Sequence, residues 1–276
     1  FKPSPNVSIS GIYLQNISFS QRGFNHSEKR KIRIRKFRQL VNLSLMLSNR
    51  DVRKVYILND SKVVRFLNSF FRTRKFEMIY DPLPANSLNH KEKNTNSELC
   101  EFSFVGMVQK RKGIVEFLNA LLEIKDKIPR KIQVNFLGLN SDDKKYQESV
   151  THLISKLKSE IINFKFYNKF VDYEELNIAL HNSHCILAVY KNHFYSSGML
   201  AHSCKHKKPL IVSESGFLGE YVTKNKLGLS VNPDDPQSYS KAILAFINND
   251  FNYNFDAAKN YNLESSPQKF TNRLFT

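Results

Sequence analysis

The sequence predicts an α/β protein built on a doubly wound parallel sheet, preceded by part of a second unit of the same kind. Three observations carry this. From about residue 99 onward, apolar strand-like runs alternate with segments of helical period. The connections between them are short, as in sheets whose helices cross from strand to parallel strand. Two small-residue turns, Ser196-Ser197-Gly198 and Ser215-Gly216, each follow an apolar run and open a predicted helix.

The elements follow in order. Residues 7–14 read as a short strand. Residues 27–47 read as a helix, because Ile34, Phe37, Val41 and Leu45 recur at i, i+3, i+7 and i+11. Lys29, Arg30, Lys31, Arg33, Arg35, Lys36 and Arg38 crowd its first turns. Residues 53–58 form a buried strand, and 60–71 a helix capped by Asp60 or Ser61. Asp81-Pro82-Leu83-Pro84 stops regular structure, since proline fixes φ and lacks an N–H. The polar stretch 86–98 reads as a linker. Strands are then expected at 101–105, 133–137, 163–167, 185–189, 210–213 and 228–231. Helices are expected at 114–125, 142–158, 173–182, 198–207, 217–224 and 236–248. Two short helices broken at 265–267 close the chain. The domain reading is 1–85 for the first unit, 99–255 for the second, and 256–276 for the closing helices.

The net charge is +17. Residues 1–85 hold 17 Lys/Arg against 5 Asp/Glu, so most of the excess lies in the first third. Such a region attracts anionic lipid, nucleic acid or phosphorylated substrates, and charge alone does not choose among them. The helix at 28–47 is either a membrane-surface helix or an ordinary helix with a solvated basic side. Cys100, Cys185 and Cys204 lack framework spacing and fit a reduced, cytoplasmic setting. No apolar run approaches the ~20 residues of a membrane span. The chain enters a strand-like run almost at Phe1, so further residues are expected upstream.

The turns and their neighbours carry the chemistry. Gly106 ends a strand, and Lys110-Arg111-Lys112-Gly113 leads into a helix. A cation there, beside a helix N-terminus, suits a diphosphate; the alternative is a solvated basic loop. Ser196, Ser197 and Gly198 offer hydroxyls and successive N–H groups to an anion; the alternative is a plain N-cap. Glu220 lies one turn inside the second small-residue turn, where it either accepts from a sugar or ribose or complements the helix dipole. His202 and His206 stand four apart, but no carboxylate lies between them and Cys204 points elsewhere, so metal binding is not the preferred reading. Asp142-Asp143 reads as a helix cap and Asp234-Asp235 as a turn. Phe164, Phe166 and Phe170 alternate with polar residues, as a strand packed on one face does, and the backbone at Lys169 and Phe170 is placed to read a base edge.

Together these pieces resemble the nucleotide-binding half of a GT-B glycosyltransferase of the group 1 family. The matching order is Asp81-Pro82-Leu83-Pro84, Val105-Gly106 with Lys112-Gly113-Ile114, Asn168-Lys169-Phe170-Val171 with Glu175-Leu176, Ser197-Gly198 with Lys208-Pro209-Leu210-Ile211, and Gly216 with Glu220-Tyr221-Val222. The resemblance covers most of residues 77–276. It implies a GT-B-like fold and a retaining transfer of sugar from a UDP- or GDP-linked donor to a glycan or lipid-linked hydroxyl. It also implies no divalent metal and no other cofactor, no specific nucleic acid partner, and a place at the inner membrane face. It assigns Lys112 to the donor diphosphate; Met107 or Val108 stands where the family's arginine is often found, with Lys110 or Arg111 as its substitute. Ser197, Gly198 and Met199 would cradle a phosphate, with Ser196 beside them. Lys169 and Phe170 would lie along the base, and Gly216, Phe217 and Leu218 near the sugar. Where many members carry two glutamates eight positions apart, this chain has Phe194 and His202; His202 retains one hydrogen bond toward the ribose. The chain is similar to divergent bacterial members with a Ser-Ser-Gly turn.

Overall fold

The computed structural model describes residues 8–13, 26–83, 99–191 and 196–275. The expected linker at 86–98, Pro84 and Phe194 lie outside the described residues.

The first unit is β1 (Ile9–Tyr13), α1 (His26–Ser48), β2 (Val52–Leu58), α2 (Ser61–Phe70) and β3 (Phe76–Ile79). Its strands pair in parallel in the order β1-β2-β3. Leu43, Val55, Ile57, Val63, Leu67 and Phe76 form its core. Asp60 is the α2 cap, accepting from the N–H groups of Lys62 and Val63 at 3.0 Å each. Strand β3 was not expected, because Glu77 interrupts its short apolar run. It is held from outside its own sequence: the Asn68 side chain donates to the Phe76 carbonyl at 2.8 Å and accepts from its N–H at 3.1 Å.

Helix α1 forms where its spacing predicts, yet the stripe that revealed it faces outward. Ile34, Phe37, Val41 and Leu45 are 53, 67, 42 and 68% exposed. The buried side carries Gln39 and Leu43 instead, with Leu40, Met46 and Leu47 packed alongside. Periodicity reports that a helix exists; it does not report which of two apolar faces meets the sheet.

The second unit runs β4 (Leu99–Val105), α3 (Ile114–Glu123), β5 (Lys131–Leu137), α4 (Lys144–Leu157), β6 (Ile162–Phe166), α5 (Tyr173–Asn182), β7 (Cys185–Ala188), α6 (Gly198–His206), β8 (Leu210–Ser213), α7 (Gly216–Lys224), β9 (Gly228–Val231) and α8 (Pro236–Ile247). The strands are parallel in the order β6-β5-β4-β7-β8-β9. Successive strand residues feed two cores. Phe102, Phe104, Val134 and Leu187 join Phe117 and Ile243 on one face. Ile186 and Val212 join Leu200, Val222 and Tyr261 on the other. Asp143 caps α4 by accepting from Tyr146 N–H at 3.1 Å. Asp235, read from sequence as part of a turn, caps α8 through Gln237 N–H at 3.0 Å.

Two closing helices, α9 (Phe255–Glu264) and α10 (Pro267–Phe275), return toward the first unit. Ala258 and Tyr261 of α9 are buried in the second core of the six-stranded sheet. The Tyr56 hydroxyl donates to the Arg273 carbonyl, and the Arg273 guanidinium donates to the Met78 carbonyl at 3.0 Å. Among the described residues no helix is long and apolar enough to cross a membrane. The three cysteines are free and buried.

Candidate functional site

The strand order reverses at β4: β5 and β6 extend to one side, and β7 to β9 to the other. Loops leaving the carboxyl ends of the strands flanking such a point diverge and leave a crevice between them, where ligands of open α/β sheets bind. The loop after β4 carries Gly106 to Gly113, and the chain after β7 leads to Ser196, Ser197 and Gly198.

Gly106 turns the chain at φ +82°, a conformation suited to glycine. After it, Lys110–Lys112 forms one tight turn. That turn folds Lys112 back under the strand end, where the residue is buried and its ammonium donates to the Val105 carbonyl. Burial, with the neighbouring Arg111 charge, lowers the Lys112 pKa to about 8. Arg111 stays exposed. Its guanidinium lies 5.7 Å from the centre of the Tyr190 ring, its Nε donates to Gln109 at 3.0 Å, and its carbonyl accepts from Lys191 N–H at 2.7 Å. The same Tyr190 has its hydroxyl 3.3 Å from the Ser197 hydroxyl, which donates to it. One buried tyrosine therefore joins the basic turn to the small-residue turn across the switch point.

Ser197 caps α6, its Oγ accepting from Met199 N–H at 3.3 Å. Among the described residues, no atom lies within 4 Å of the position a Cβ would take at Gly198. At the second turn, Gly216 has φ +84° and Ser215 makes no side-chain cap bond to α7. Phe217 is half-buried with its ring 5.3 Å from Tyr221. The Leu218 side chain is buried in the core, which leaves only its backbone to face a ligand.

The remaining candidates have partners and surroundings of their own. Glu220 is exposed and ion-paired with Lys62 of α2. Lys169 is exposed and paired with Glu175. Phe170, 85% exposed, lies beyond β6. A groove of about 250 Å³ runs between Met107, Gln109 and Lys110 on one side and Ser141, Asp142 and Tyr146 on the other. His202 is buried, its ring centre 6.3 Å from Tyr173 and 6.2 Å from His206. Burial, helped by Lys205, lowers its pKa to about 4, and the same causes with His202 itself lower that of His206 to about 3. His206 Nε2 meets Asn177 Oδ1 at 3.0 Å. Among the described residues no three His, Cys, Asp or Glu side chains cluster as metal ligands would.

Tyr190, Lys62 and Asn59 escaped the sequence reading. Tyr190 had a usable signal, an aromatic at the exit of an apolar strand. Lys62 and Asn59 act across the fold and had none.

No curated protein sequence matches the chain significantly. Among solved structures, it is similar to a glycosyltransferase from Rickettsia africae, with 18% identity and a TM-score of 0.60 over 80% of this chain and 61% of that one. It is also similar to Alr3699/HepE from Anabaena, solved with UDP and glucose, with 13% identity and a TM-score of 0.59 over 84% and 64% of the two chains. A third is WaaG, a glycosyltransferase involved in lipopolysaccharide biosynthesis, with 12% identity and a TM-score of 0.57 over 82% and 64%. The chain thus spans 61 to 64% of the length of these three structures. At such identities the likeness is one of fold. The sequence profile of the family "Glycosyl transferases group 1" matches residues 86–262, more than half of the chain and all of the six-stranded sheet with its crevice. The chain belongs to the group 1 glycosyl transferases and has their GT-B-type, doubly wound nucleotide-binding architecture.

Proposed function

We propose that this chain binds a UDP- or GDP-linked sugar in the crevice between β4 and β7 and transfers the sugar to a hydroxyl of a glycan or lipid-linked acceptor. The observation that carries this reading is the pairing of a buried lysine with an open helix N-terminus on opposite sides of the switch point. Lys112 has lost most of its water, and among the described residues nothing lies within 4 Å of where a Cβ would stand at Gly198. A diphosphate seated between them is stabilised by charge-assisted hydrogen bonds and the α6 dipole.

In this reading Lys112 and Arg111 stabilise the diphosphate as it leaves, when its charge grows. Lys112, already desolvated and fixed, does this with little reorganisation, and the exposed Arg111 adds its charge from the rim. Gly106 lets the backbone approach. Ser196, Ser197, Gly198 and Met199 cradle a phosphate. The base lies along Lys169 and Phe170, whose exposed ring is free to stack. Gly216, Phe217 and the Leu218 backbone border the sugar, with Glu220 accepting from its hydroxyls or the ribose. His202 contributes at most one hydrogen bond toward the ribose. The transfer is retaining and uses no divalent metal.

The acceptor side belongs to the first unit. The α1 stripe of Ile34, Phe37, Val41 and Leu45 is flanked by Arg33 and Arg38, a pattern of interfacial helices on anionic membranes. It favours a lipid-linked acceptor at the inner membrane face.

A thermal-shift titration tests the donor reading. UDP or GDP raises the melting temperature of the wild-type chain, and Lys112→Ala abolishes the rise. Failure of every nucleoside diphosphate to shift it overturns the reading. Binding to anionic vesicles without any nucleotide response would instead mark a non-catalytic, surface-binding module.

A further inference from the structure

We infer that Asn59 is a positioning residue for donor binding, acting through Ser196 of the phosphate turn. The inference rests on the reading of that turn given above.

Asn59 follows β2 in the left-handed region at φ +60° and is 3% exposed. Asparagine tolerates that backbone, and glycine tolerates it better, so the turn alone does not require this side chain. The carboxamide is spent on three distant segments. Its Nδ2 donates to Ser196 Oγ. Its Oδ1 accepts from the Tyr261 hydroxyl and from Asp81 N–H, each at 3.1 Å. Asp81 is the exit of the first unit, Tyr261 lies on α9, and Ser196 precedes the α6 cap. One buried amide thus joins the first unit, its exit and the returning helix to the turn that fronts the crevice.

Ser196 precedes the cap whose N–H groups point at the proposed phosphate. Its hydroxyl accepts from Asn59, so the first unit takes part in setting the position of this residue. Shifts of well under an ångström in such a turn change anion binding, because charge-assisted hydrogen bonds are short and directional. The Lys62–Glu220 ion pair crosses between the same two units from the adjacent α2 start. Placement of the first unit is thereby read out at the donor turn.

Calorimetric titration of UDP and GDP tests this in wild type, Asn59→Gly, Ser196→Ala, the double variant and Tyr261→Phe. Asn59→Gly keeps the backbone conformation and removes the carboxamide. The expected result is a loss of about tenfold in affinity in each single variant at Asn59 and Ser196, with the double variant no weaker than either, as one shared path requires. Tyr261→Phe removes a bond to the same amide while sparing Ser196, and is expected to bind as wild type. A purely structural role would lower melting temperatures in all of these and leave affinities unchanged. Wild-type affinity in Asn59→Gly, or losses that multiply in the double variant, overturns the inference. Should Asn59→Gly not fold, Ser196→Ala, which removes the other partner of the same bond, is read the same way. Failure of the wild type to bind either diphosphate sinks the donor reading and this inference together. Loss in Lys112→Ala with retention in Asn59→Gly sinks the inference alone.

Discussion

The ammonium of Lys112 occupies the space that a side chain at Gly106 would take: a Cβ built there lies 2.6 Å from Nζ. Strand end and lysine are therefore mutually dependent. Gly106→Ala is expected to displace Lys112 and to strain a backbone held at φ +82°. The strain costs about 1–2 kcal/mol of stability, read by urea denaturation. Affinity for the better nucleoside diphosphate is expected to fall at least tenfold. An alanine variant that binds normally would show that Lys112 need not sit there.

With Lys112 at the proposed donor site, binding is expected to depend on pH. Its pKa in the free protein is about 8, lowered by burial. An anion beside it favours the charged form and raises that value on binding. Below about pH 8 the lysine is already protonated and affinity is flat. Above it, binding must recruit a proton, and affinity falls by up to about tenfold per pH unit. Titrations between pH 7 and pH 9.5 check this; a Lys112→Ala variant is expected to lose the slope along with most of the binding.

His202 and His206 set the acid side of stability. Both pKa values are depressed in the fold, to about 4 and about 3, chiefly by burial. The unfolded chain therefore binds more protons between the ordinary histidine value near 6.5 and the folded values. Stability is full above about pH 6.5 and falls as pH drops toward 4 and 3, by up to about 1.4 kcal/mol per pH unit for each proton. Denaturation curves at pH 7, 5.5 and 4.5 should show the decline. A His206→Gln variant is expected to flatten it, and an unchanged slope would assign acid sensitivity elsewhere.

The Lys62–Glu220 pair is more than half exposed on both sides, with side-chain exposures of 59 and 55%. Solvent screening holds such a pair to about 0–1 kcal/mol. Lys62→Ala is expected to change stability by less than that, with the difference shrinking in high salt. A larger loss would mean that the pair, rather than buried contacts such as those of Asn59, holds the two units together.

Helix α1 gives a prediction independent of nucleotide. Phe37 and Leu45 are among its most exposed apolar residues. Replacing both with aspartate is expected to leave the fold intact and to remove co-sedimentation with vesicles containing anionic lipid. Wild-type binding should weaken as salt rises and be slight with neutral vesicles. Equal sedimentation of wild type and variant would assign the stripe no role at a membrane.

Much of the fold was legible because its code is local. Strands β8 and β9 and helix α5 have the bounds that apolar runs, caps and helical period indicate. Asp60 caps α2 because a carboxylate two and three residues before free N–H groups needs no tertiary help. The crevice was half legible. Gly106, Lys112 and the Ser196–Gly198 turn announce themselves as small or basic residues between a strand and a helix.

The sequence by itself determined the order of elements, the parallel sheet and the loops that face its switch point, since each follows from neighbours a few residues apart. Only the tertiary structure decided which side of α1 is buried and that β3 exists. It also decided that Lys112 is desolvated, and that Asn59 reaches Ser196 across 137 residues of chain. Those outcomes depend on which surfaces meet when distant segments pack. Burial, a shifted pKa and a hydrogen bond between two units are properties of that meeting, so no local pattern in the chain encodes them.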